Sequence, residues 1–325
     1  MANPRDYASD QEVRWCPGCG DYSVLKQFHT VLAHLELPRH KTVVVSGIGC
    51  SSRLPYYVNT FGVHSIHGRA TAFVTGLVLA RPDLDVWIVT GDGDALSIGG
   101  NHLIHLLRRN VKAPILLFNN EIYGLTKGQV SPTSPEGQVS KSSPDGALGS
   151  PFMPPALALG AGASFVARAM DRDPEHLRLM MIRAHEHSGS AFLEIYQNCN
   201  VFNDGAFHLF TEKESRAHHS VYLTHGQPLL FGIENSMGIR LDGFTPRTVN
   251  LSDGYSHDDL WIHEEKDPIK AHLLARMHQE IRPFGVLYAE NRPSFQSLAQ
   301  NLSSDKKAES IEQLLQGSRT WIQSE

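Results

Sequence analysis

Two short apolar segments, each followed directly by polar residues, constrain the fold of this chain most strongly. Residues 86–90 and 114–118 have the apolar, β-branched composition of buried strands, and residues 95–109 between them have helical periodicity. A strand, a helix and a second strand in this order form a crossover between parallel strands. Similar alternation extends to residue 196, so we predict an α/β fold with a mostly parallel sheet and helices on both faces.

The remaining predicted elements follow the same reading of periodicity and of helix-capping residues. Further strands are predicted at 42–46, 163–168 and 190–196, and further helices at 21–35, 69–80, 174–187 and 268–281, with a final amphipathic helix after a polar break at 303–307. Residues 120–155 have little periodicity, and a long loop at a strand end is most often a lid or a binding loop.

Polar motifs follow both strands of the predicted crossover. Residues 91–94 (Gly-Asp-Gly-Asp) follow the first strand, and residues 119–120 (Asn-Asn) follow the second. Carboxylate and amide oxygens suit Mg²⁺, and glycines let a diphosphate approach the backbone. A helix beginning after Asp94 would point its first amide groups at the anion. Gly-Asp-Gly alone is also an ordinary turn sequence, but its place in the crossover favours a magnesium diphosphate site with Asp92 and Asn120 as ligands.

The four cysteines form a second candidate site. Cys16, Cys19, Cys50 and Cys199 lie in predicted loops beside Gly, Pro, Asn and Ser, whereas a structural cysteine is usually a small apolar core residue. Four thiolates satisfy either tetrahedral zinc or one 4Fe-4S cluster, and a spacing of one close pair plus two single residues does not decide between them. Disulfides are the least favoured alternative, because residues 1–11 contain no apolar signal-peptide core.

Five motifs occur in order along the chain and together carry a family resemblance. They are residues 16–20 (Cys-Pro-Gly-Cys-Gly), 47–51 (Gly-Ile-Gly-Cys-Ser), 67–70 (His-Gly-Arg-Ala), 91–94 and 119–129 (Asn-Asn-Glu-Ile-Tyr-Gly-Leu-Thr-Lys-Gly-Gln). With them the chain resembles the thiamine diphosphate-binding β subunit of 2-oxoacid:ferredoxin oxidoreductases, most closely the branch that uses 2-oxoglutarate. The resemblance implies a thiamine diphosphate-binding and 4Fe-4S-binding domain over residues 1–205. A C-terminal extension over residues 206–325 would pack on this domain or on the partner subunit.

The resemblance also implies which residues hold the cofactors. Cys16, Cys19, Cys50 and Cys199 would hold one 4Fe-4S cluster, and Asp92, Asn120 and the backbone carbonyl of Ile122 would bind Mg²⁺. The residues implied as thiamine diphosphate contacts are Ile48, Gly49, Cys50, Ser51, His67, Gly91, Gly93, Asp94, Gly124, Leu125 and Thr126. Two of these contacts would be catalytic, His67 as a polar group and Leu125 as the apolar wedge that bends the cofactor. A structural capping role is the alternative for His67.

The activity implied by the resemblance is the coenzyme A-dependent oxidative decarboxylation of 2-oxoglutarate to succinyl-CoA, or the reverse carboxylation. Electrons would pass through the cluster to ferredoxin. The distal carboxylate of 2-oxoglutarate needs a cation, and Arg53 and Lys127 are the candidates because both lie in the motif loops. They could instead be solvated loop cations or contacts with the partner subunit.

The family resemblance also implies how the protein assembles. The glutamate that activates thiamine belongs to the α subunit in this family, so the active form would be an αβ pair or its dimer. Two alternatives stay open: a pyruvate or broad-specificity 2-oxoacid:ferredoxin oxidoreductase, and a non-catalytic, zinc-stabilised binding subunit.

Composition excludes some other classes of protein. The chain has 325 residues, 41% of them hydrophobic and 19% charged, which is typical of a globular protein. A net charge of -5 and the lack of a basic stripe with interleaved aromatic residues argue against nucleic acid as a partner. No apolar segment approaches the ~20 residues of a membrane span. We therefore expect a cytoplasmic protein with no membrane partner.

Overall fold

An eight-stranded sheet forms the centre of the computed structural model, which describes residues 2–277, 280–304, 310–317, 320–321 and 323. In spatial order its strands are β2 (Phe61–His64), β1 (Thr42–Ser46), β3 (Asp85–Gly91), β4 (Ala113–Asn119), β8 (Ser190–Tyr196), β7 (Phe165–Met170), β13 (Arg282–Ala289) and β9 (Ser220–Tyr222). Neighbouring strands are parallel except for the antiparallel pair β7 and β13. The predicted mostly parallel sheet is therefore confirmed.

Helices cover both faces of this sheet. They are α1 (Asp21–His34), α2 (Ala70–Ala80), α3 (Asp92–Leu96), α4 (Gly100–Arg109), α5 (Pro154–Gly160), α6 (Pro174–Glu186), α7 (His208–Thr211), α8 (Lys213–His219), α9 (Pro268–Arg276), α10 (Phe295–Ser304) and α11 (Ile311–Gln316). Side chains alternate along a strand, so Val44 packs with α1 and α6 on one face, and Val43 and Val45 pack with α2 and α4 on the other. Burying each such side chain contributes about 1.5–3 kcal/mol.

Two small antiparallel sheets accompany the main one. The first consists of β10 (Leu230–Phe231), β11 (Met237–Asp242) and β12 (Thr245–Asn250), and the second is the hairpin of β5 (Ile122–Tyr123) and β6 (Gln129–Val130). The hairpin lies at the start of the predicted 120–155 loop. Residues beyond 205 contribute β9 and β13 to the central sheet.

The predicted single helix over residues 95–109 is wrong. The chain forms α3 and α4 instead, and α3 begins at Asp92 itself rather than after Asp94. Between the two helices the backbone of Gly99 packs against Gly68 so closely that a Cβ on either glycine would overlap backbone atoms of the other. The break falls at Ser97, which has a non-helical ψ of -107°, and is followed by the Gly99-Gly100 pair, a sequence that favours a turn.

The C-terminal predictions are met only in part. The predicted helix over 268–281 ends at Arg276, and residues 278–279 lie outside the described part of the chain. The predicted polar break at 303–307 is wrong at residues 303–304, which are the last residues of α10, and residues 305–307 also lie outside the described part of the chain. The predicted final helix is present as α11. Among the described residues, no helix combines the length and the apolar composition needed to cross a membrane.

Candidate active site

A cavity of about 500 Å³ lies at the carboxyl ends of β1, β3 and β4. Parallel sheets typically bind ligands at this edge, because the loops that follow neighbouring strands meet there. The lining includes every residue predicted to contact the cofactor, namely Ile48, Gly49, Cys50, Ser51, His67, Gly91, Gly93, Asp94, Gly124, Leu125 and Thr126. The predicted magnesium ligands Asp92, Asn120 and Ile122 line it as well.

Asp92 is held in place by two hydroxyl groups from a distant loop. Its side chain is 2% exposed, and its Oδ2 accepts hydrogen bonds from Ser131 Oγ at 2.6 Å and from Thr133 Oγ1 at 2.5 Å. Burial raises the pKa of the Asp92 carboxyl group, and the two hydroxyl donors work against this rise. Residues 131–134 therefore fix the orientation of the carboxylate in the cavity.

Asp94 connects three of the motif loops to one another. Its Oδ1 accepts a hydrogen bond from the Gly68 backbone N–H at 2.7 Å, and its Oδ2 accepts one from Thr90 Oγ1 at 2.9 Å. A Cβ at residue 47 would overlap the Asp94 carboxylate, so only Gly47 lets the first loop approach. Asp94 thus sets the relative positions of the loops that line the cavity.

The adjacent asparagines at the end of β4 have different environments. Asn119 is buried, and its Nδ2 donates to Glu194 Oε1 at 2.8 Å. Asn120 lines the cavity; its Nδ2 donates to Gln197 Oε1 at 2.8 Å, and its Oδ1 accepts from the Ile122 N–H at 3.2 Å. Asn119 therefore joins strands within the sheet, whereas Asn120 belongs to the cavity.

Tyr123 closes one side of the cavity against the Gly-Asp-Gly turn. Its hydroxyl group donates to the Gly93 carbonyl oxygen at 3.1 Å, and a Cβ on Gly93 would overlap the Tyr123 ring. The two predicted catalytic residues also lie here: His67 is exposed in the lining, and Leu125 is 53% exposed.

All four cysteines line a second, adjoining cavity of about 270 Å³. All are free thiols, so the disulfide alternative is wrong. A Cβ on Gly124 would lie 3.4 Å from Cys199 Sγ and 3.7 Å from Cys50 Sγ, and Trp15 Nε1 donates to the Cys50 carbonyl oxygen at 2.7 Å. The residues shared by both cavities are Cys50, Asn120, Gly124 and Leu125.

Without a metal, the cysteine cavity disfavours thiolates. Burial raises the pKa of the Cys19 thiol, with the Asp21 carboxylate adding to the rise, and the same two causes raise the pKa of Cys50 to about 12. Within the described ranges, no three His, Cys, Asp or Glu side chains converge closely enough to hold a single metal ion. The four cysteines line the same cavity.

The two cations predicted to bind substrate lie on the cysteine side. Arg53 and Lys127 line the cysteine cavity and do not line the larger one. Arg53 Nε donates to the Tyr57 hydroxyl group at 3.1 Å, and Lys127 adopts a φ of 75°.

Sequence reasoning missed several residues that line these cavities or hold their lining residues in place. Tyr123 lies inside a recognised motif, so the motif itself could have indicated it. Ser131, Thr133 and Gln197 lie in no motif, and only tertiary contacts reveal them.

Comparison with known proteins identifies the class. Residues 47–195 match the family model of the thiamine pyrophosphate enzyme, C-terminal TPP binding domain. The 2-oxoglutarate oxidoreductase subunit KorB of Mycobacterium tuberculosis is 47% identical over 98% of this chain and 87% of its own length. The β subunit of 2-oxoacid:ferredoxin oxidoreductase 1 of Aeropyrum pernix is 48% identical over 58% of this chain and 60% of its own.

A solved structure agrees over nearly the whole chain. It is a 2-oxoglutarate:ferredoxin oxidoreductase from Magnetococcus marinus with 2-oxoglutarate, coenzyme A and succinyl-CoA bound. Its matched chain is 31% identical with a TM-score of 0.79, over 97% of this chain and 95% of its own. The chain therefore belongs to the β subunits of the thiamine diphosphate-dependent 2-oxoacid:ferredoxin oxidoreductases. The predicted family and fold are confirmed.

Proposed function

We propose that this chain is the β subunit of a 2-oxoglutarate:ferredoxin oxidoreductase. It would catalyse the coenzyme A-dependent oxidative decarboxylation of 2-oxoglutarate to succinyl-CoA, or the reverse carboxylation, and pass electrons through one 4Fe-4S cluster to ferredoxin. The observation that carries the proposal is that the cavity predicted for thiamine diphosphate adjoins the cavity lined by four cysteines. The substrate assignment is supported by the Mycobacterium tuberculosis relative and by the ligands bound in the Magnetococcus marinus enzyme.

The larger cavity has a donor set that fits Mg²⁺ and a diphosphate. Asp92, Asn120 and the Ile122 carbonyl would supply a carboxylate, an amide and a backbone oxygen, all of the hard type that Mg²⁺ prefers. At Gly49, with a φ of 123°, a Cβ would meet no atom within 4 Å, so the absent side chain leaves open space at the backbone. When bound, thiamine diphosphate supplies the electron sink for loss of CO₂.

The cysteine cavity has a donor set that fits one 4Fe-4S cluster. Cys16, Cys19, Cys50 and Cys199 supply the four thiolates that a 4Fe-4S cluster takes, and they line a single cavity of about 270 Å³ that adjoins the cofactor cavity. Bound iron would also stabilise the thiolates that burial disfavours. A cluster held there would accept the electrons one at a time.

Residues shared by the two cavities would bring the cofactors close together. Cys50 lines both cavities, so a cluster bound through its sulfur would lie beside the thiamine site. Leu125 would provide the apolar wedge and His67 a polar contact. The electrons would thus have a short route from the thiamine cofactor to the cluster.

An α subunit and a 2-oxoacid are the partners that the names of the related β subunits imply. We assign ferredoxin as the electron acceptor. Arg53 and Lys127 stay candidates for the distal carboxylate of 2-oxoglutarate. Because they line the cysteine cavity, this role requires the substrate to extend past Leu125 and Gly124, which border both spaces.

Steady-state kinetics of the anaerobically co-purified αβ protein test the substrate. We expect reduction of ferredoxin that depends on coenzyme A and is faster with 2-oxoglutarate than with pyruvate. Arg53→Leu should raise KM for 2-oxoglutarate about tenfold or more and leave KM for pyruvate unchanged, because pyruvate has no distal carboxylate. Equal rates with both acids would favour the broad-specificity alternative, and a colourless protein with one zinc would favour the binding subunit.

A further inference from the structure

Gln197 lines the cysteine cavity, one residue beyond the end of β8, and is hydrogen-bonded to Asn120, which lines both cavities. Its backbone N–H donates to the Asn119 carbonyl oxygen at 2.9 Å and extends the ladder between β4 and β8. Its side chain is 1% exposed. The sheet therefore fixes the backbone at this position, whichever side chain it carries.

The carboxamide of Gln197 contacts a candidate ligand of each metal site. Its Oε1 accepts a hydrogen bond from Asn120 Nδ2 at 2.8 Å. Its Nε2 donates to Cys19 Sγ at 3.2 Å and to the Asn198 carbonyl oxygen at 2.7 Å. One buried amide thus uses both of its N–H groups and its oxygen in these contacts.

Each contact has a physical consequence for the group it reaches. Because Gln197 engages the Nδ2 of Asn120, the amide keeps one orientation, in which Oδ1 accepts from the Ile122 N–H and has a second lone pair for a cation. A hydrogen bond to a ligating sulfur stabilises negative charge there, which favours the reduced cluster and raises its reduction potential.

We propose that Gln197 is a positioning residue that acts on both cofactor sites, orienting Asn120 toward Mg²⁺ and tuning the cluster through Cys19. The inference rests on the proposed function and deepens it. A single buried side chain would then join the site where electrons are released to the site that accepts them.

Two substitutions separate the two roles. Gln197→Glu keeps an oxygen that can accept from Asn120 Nδ2 but loses the N–H donor to Cys19 and adds negative charge. Gln197→Leu loses both contacts at similar volume. Asn200→Ala is the matched control, because the Asn200 amide also lines the cysteine cavity but donates to the Pro17 carbonyl oxygen.

Redox titration of the cluster in the anaerobic αβ complex, followed by electron paramagnetic resonance, is the first measurement. In both Gln197 variants we expect the reduced-to-oxidised ratio at a fixed potential to fall about tenfold, a shift of ~59 mV to lower potential for one electron. The shift should be at least as large in Gln197→Glu as in Gln197→Leu. Asn200→Ala should keep the potential of the unmodified protein.

Equilibrium binding of Mg²⁺ with thiamine diphosphate is the second measurement. Gln197→Leu should weaken binding by about tenfold or more, as is typical when a residue that orients a metal ligand is lost. Gln197→Glu should bind nearly as tightly as the unmodified protein. If Gln197→Leu fails to assemble, the nearly isosteric Gln197→Glu still decides the redox role.

Unchanged potentials in both Gln197 variants, or an equal shift in Asn200→Ala, would overturn the redox role. Equal loss of Mg²⁺ affinity in Gln197→Leu and Gln197→Glu would overturn the orienting role. An unmodified protein that lacks iron and sulfide contradicts the proposed function itself, and this result is seen before any variant is compared.

Discussion

Gly93 shows how one missing side chain shapes the candidate active site. A Cβ at this position would overlap the Tyr123 ring, and the Tyr123 hydroxyl group donates a hydrogen bond to the Gly93 carbonyl oxygen. We expect Gly93→Ala to displace Tyr123, to destabilise the fold by about 1–3 kcal/mol and to weaken thiamine diphosphate binding. Thermal unfolding and equilibrium binding of the cofactor measure the two effects.

Gly100→Ala is the control for this substitution. Gly100 is the first residue of α4, and a Cβ there would meet no atom within 4 Å. Its expected effect is within about 0.5 kcal/mol, and alanine could even stabilise the helix. A Gly93→Ala protein as stable and as tightly binding as Gly100→Ala would contradict the packing argument.

Residues inside motifs could be predicted, and residues that support them could not. Asp92 and Asn120 follow strand-like segments, so their place at one edge of the sheet follows from the parallel order of the strands. Ser131 and Thr133 bond to Asp92 across about 40 residues of chain, with no periodicity or spacing to indicate it. Their role depends on how the 120–155 segment folds back.

At the scale of elements, a buried ion pair joins neighbouring strands. Arg168 of β7 donates from Nε to Glu194 Oε2 of β8 at 2.6 Å, both side chains are buried, and Glu194 also accepts from Asn119 of β4. We expect Glu194→Ala to cost about 3–5 kcal/mol, because it leaves the Arg168 charge buried without its partner. Chemical denaturation measures the loss.

The double variant Arg168→Met with Glu194→Leu tests the cause of that loss. Because it removes both charges and fills their volume, it should be more stable than Glu194→Ala alone. A double variant as unstable as the single one would show that the strands depend on something other than charge pairing.

His187, which follows the last residue of α6, is expected to make the stability of the fold depend on pH. Burial, with a smaller contribution from Arg292, lowers the pKa of His187 from 6.5 to about 4, and His187 Nε2 is hydrogen-bonded to Ser164 Oγ at 2.7 Å. The unfolded chain therefore binds a proton between these values that the folded chain does not. The stability that neutral His187 contributes is complete above about pH 6.5 and is lost as the pH falls toward 4, by up to ~1.4 kcal/mol per pH unit.

His187→Gln should reduce this loss. We expect its melting temperature to fall less than that of the unmodified protein when the pH is lowered from about 7.5 to about 5.5. His40→Gln, at an exposed position, is the control and should follow the unmodified protein. An identical pH response in His187→Gln would exclude this histidine as the source.

Element types were more predictable than their exact boundaries. The strands predicted at 42–46 and 190–196 match β1 and β8, because a short apolar segment between turn residues is typical of a buried strand. The break between α3 and α4 coincides with the Gly99-Gly100 pair, a turn signal that the prediction of one helix overlooked, whereas the contact of Gly99 with the distant Gly68 was not predictable. The antiparallel pairing of β13 with β7 likewise depends on contacts between residues that are far apart in the sequence.

At the scale of the whole molecule, the proposed activity requires a partner subunit. We propose that the α subunit supplies the activating glutamate, so we expect the purified β chain to bind the cluster and Mg²⁺ with thiamine diphosphate but to show no turnover. Adding the α subunit should restore 2-oxoglutarate-dependent reduction of ferredoxin. Turnover by the β chain alone would contradict the expected division of roles.

The central claim is that four cysteines from distant parts of the chain hold one 4Fe-4S cluster beside the thiamine site. Its most direct test is the iron and acid-labile sulfide content of anaerobically purified protein, with Cys199→Ser measured alongside. The account predicts about four iron and about four sulfide per chain in the unmodified protein, and a marked loss of both in the variant. One zinc per chain with no sulfide would contradict it.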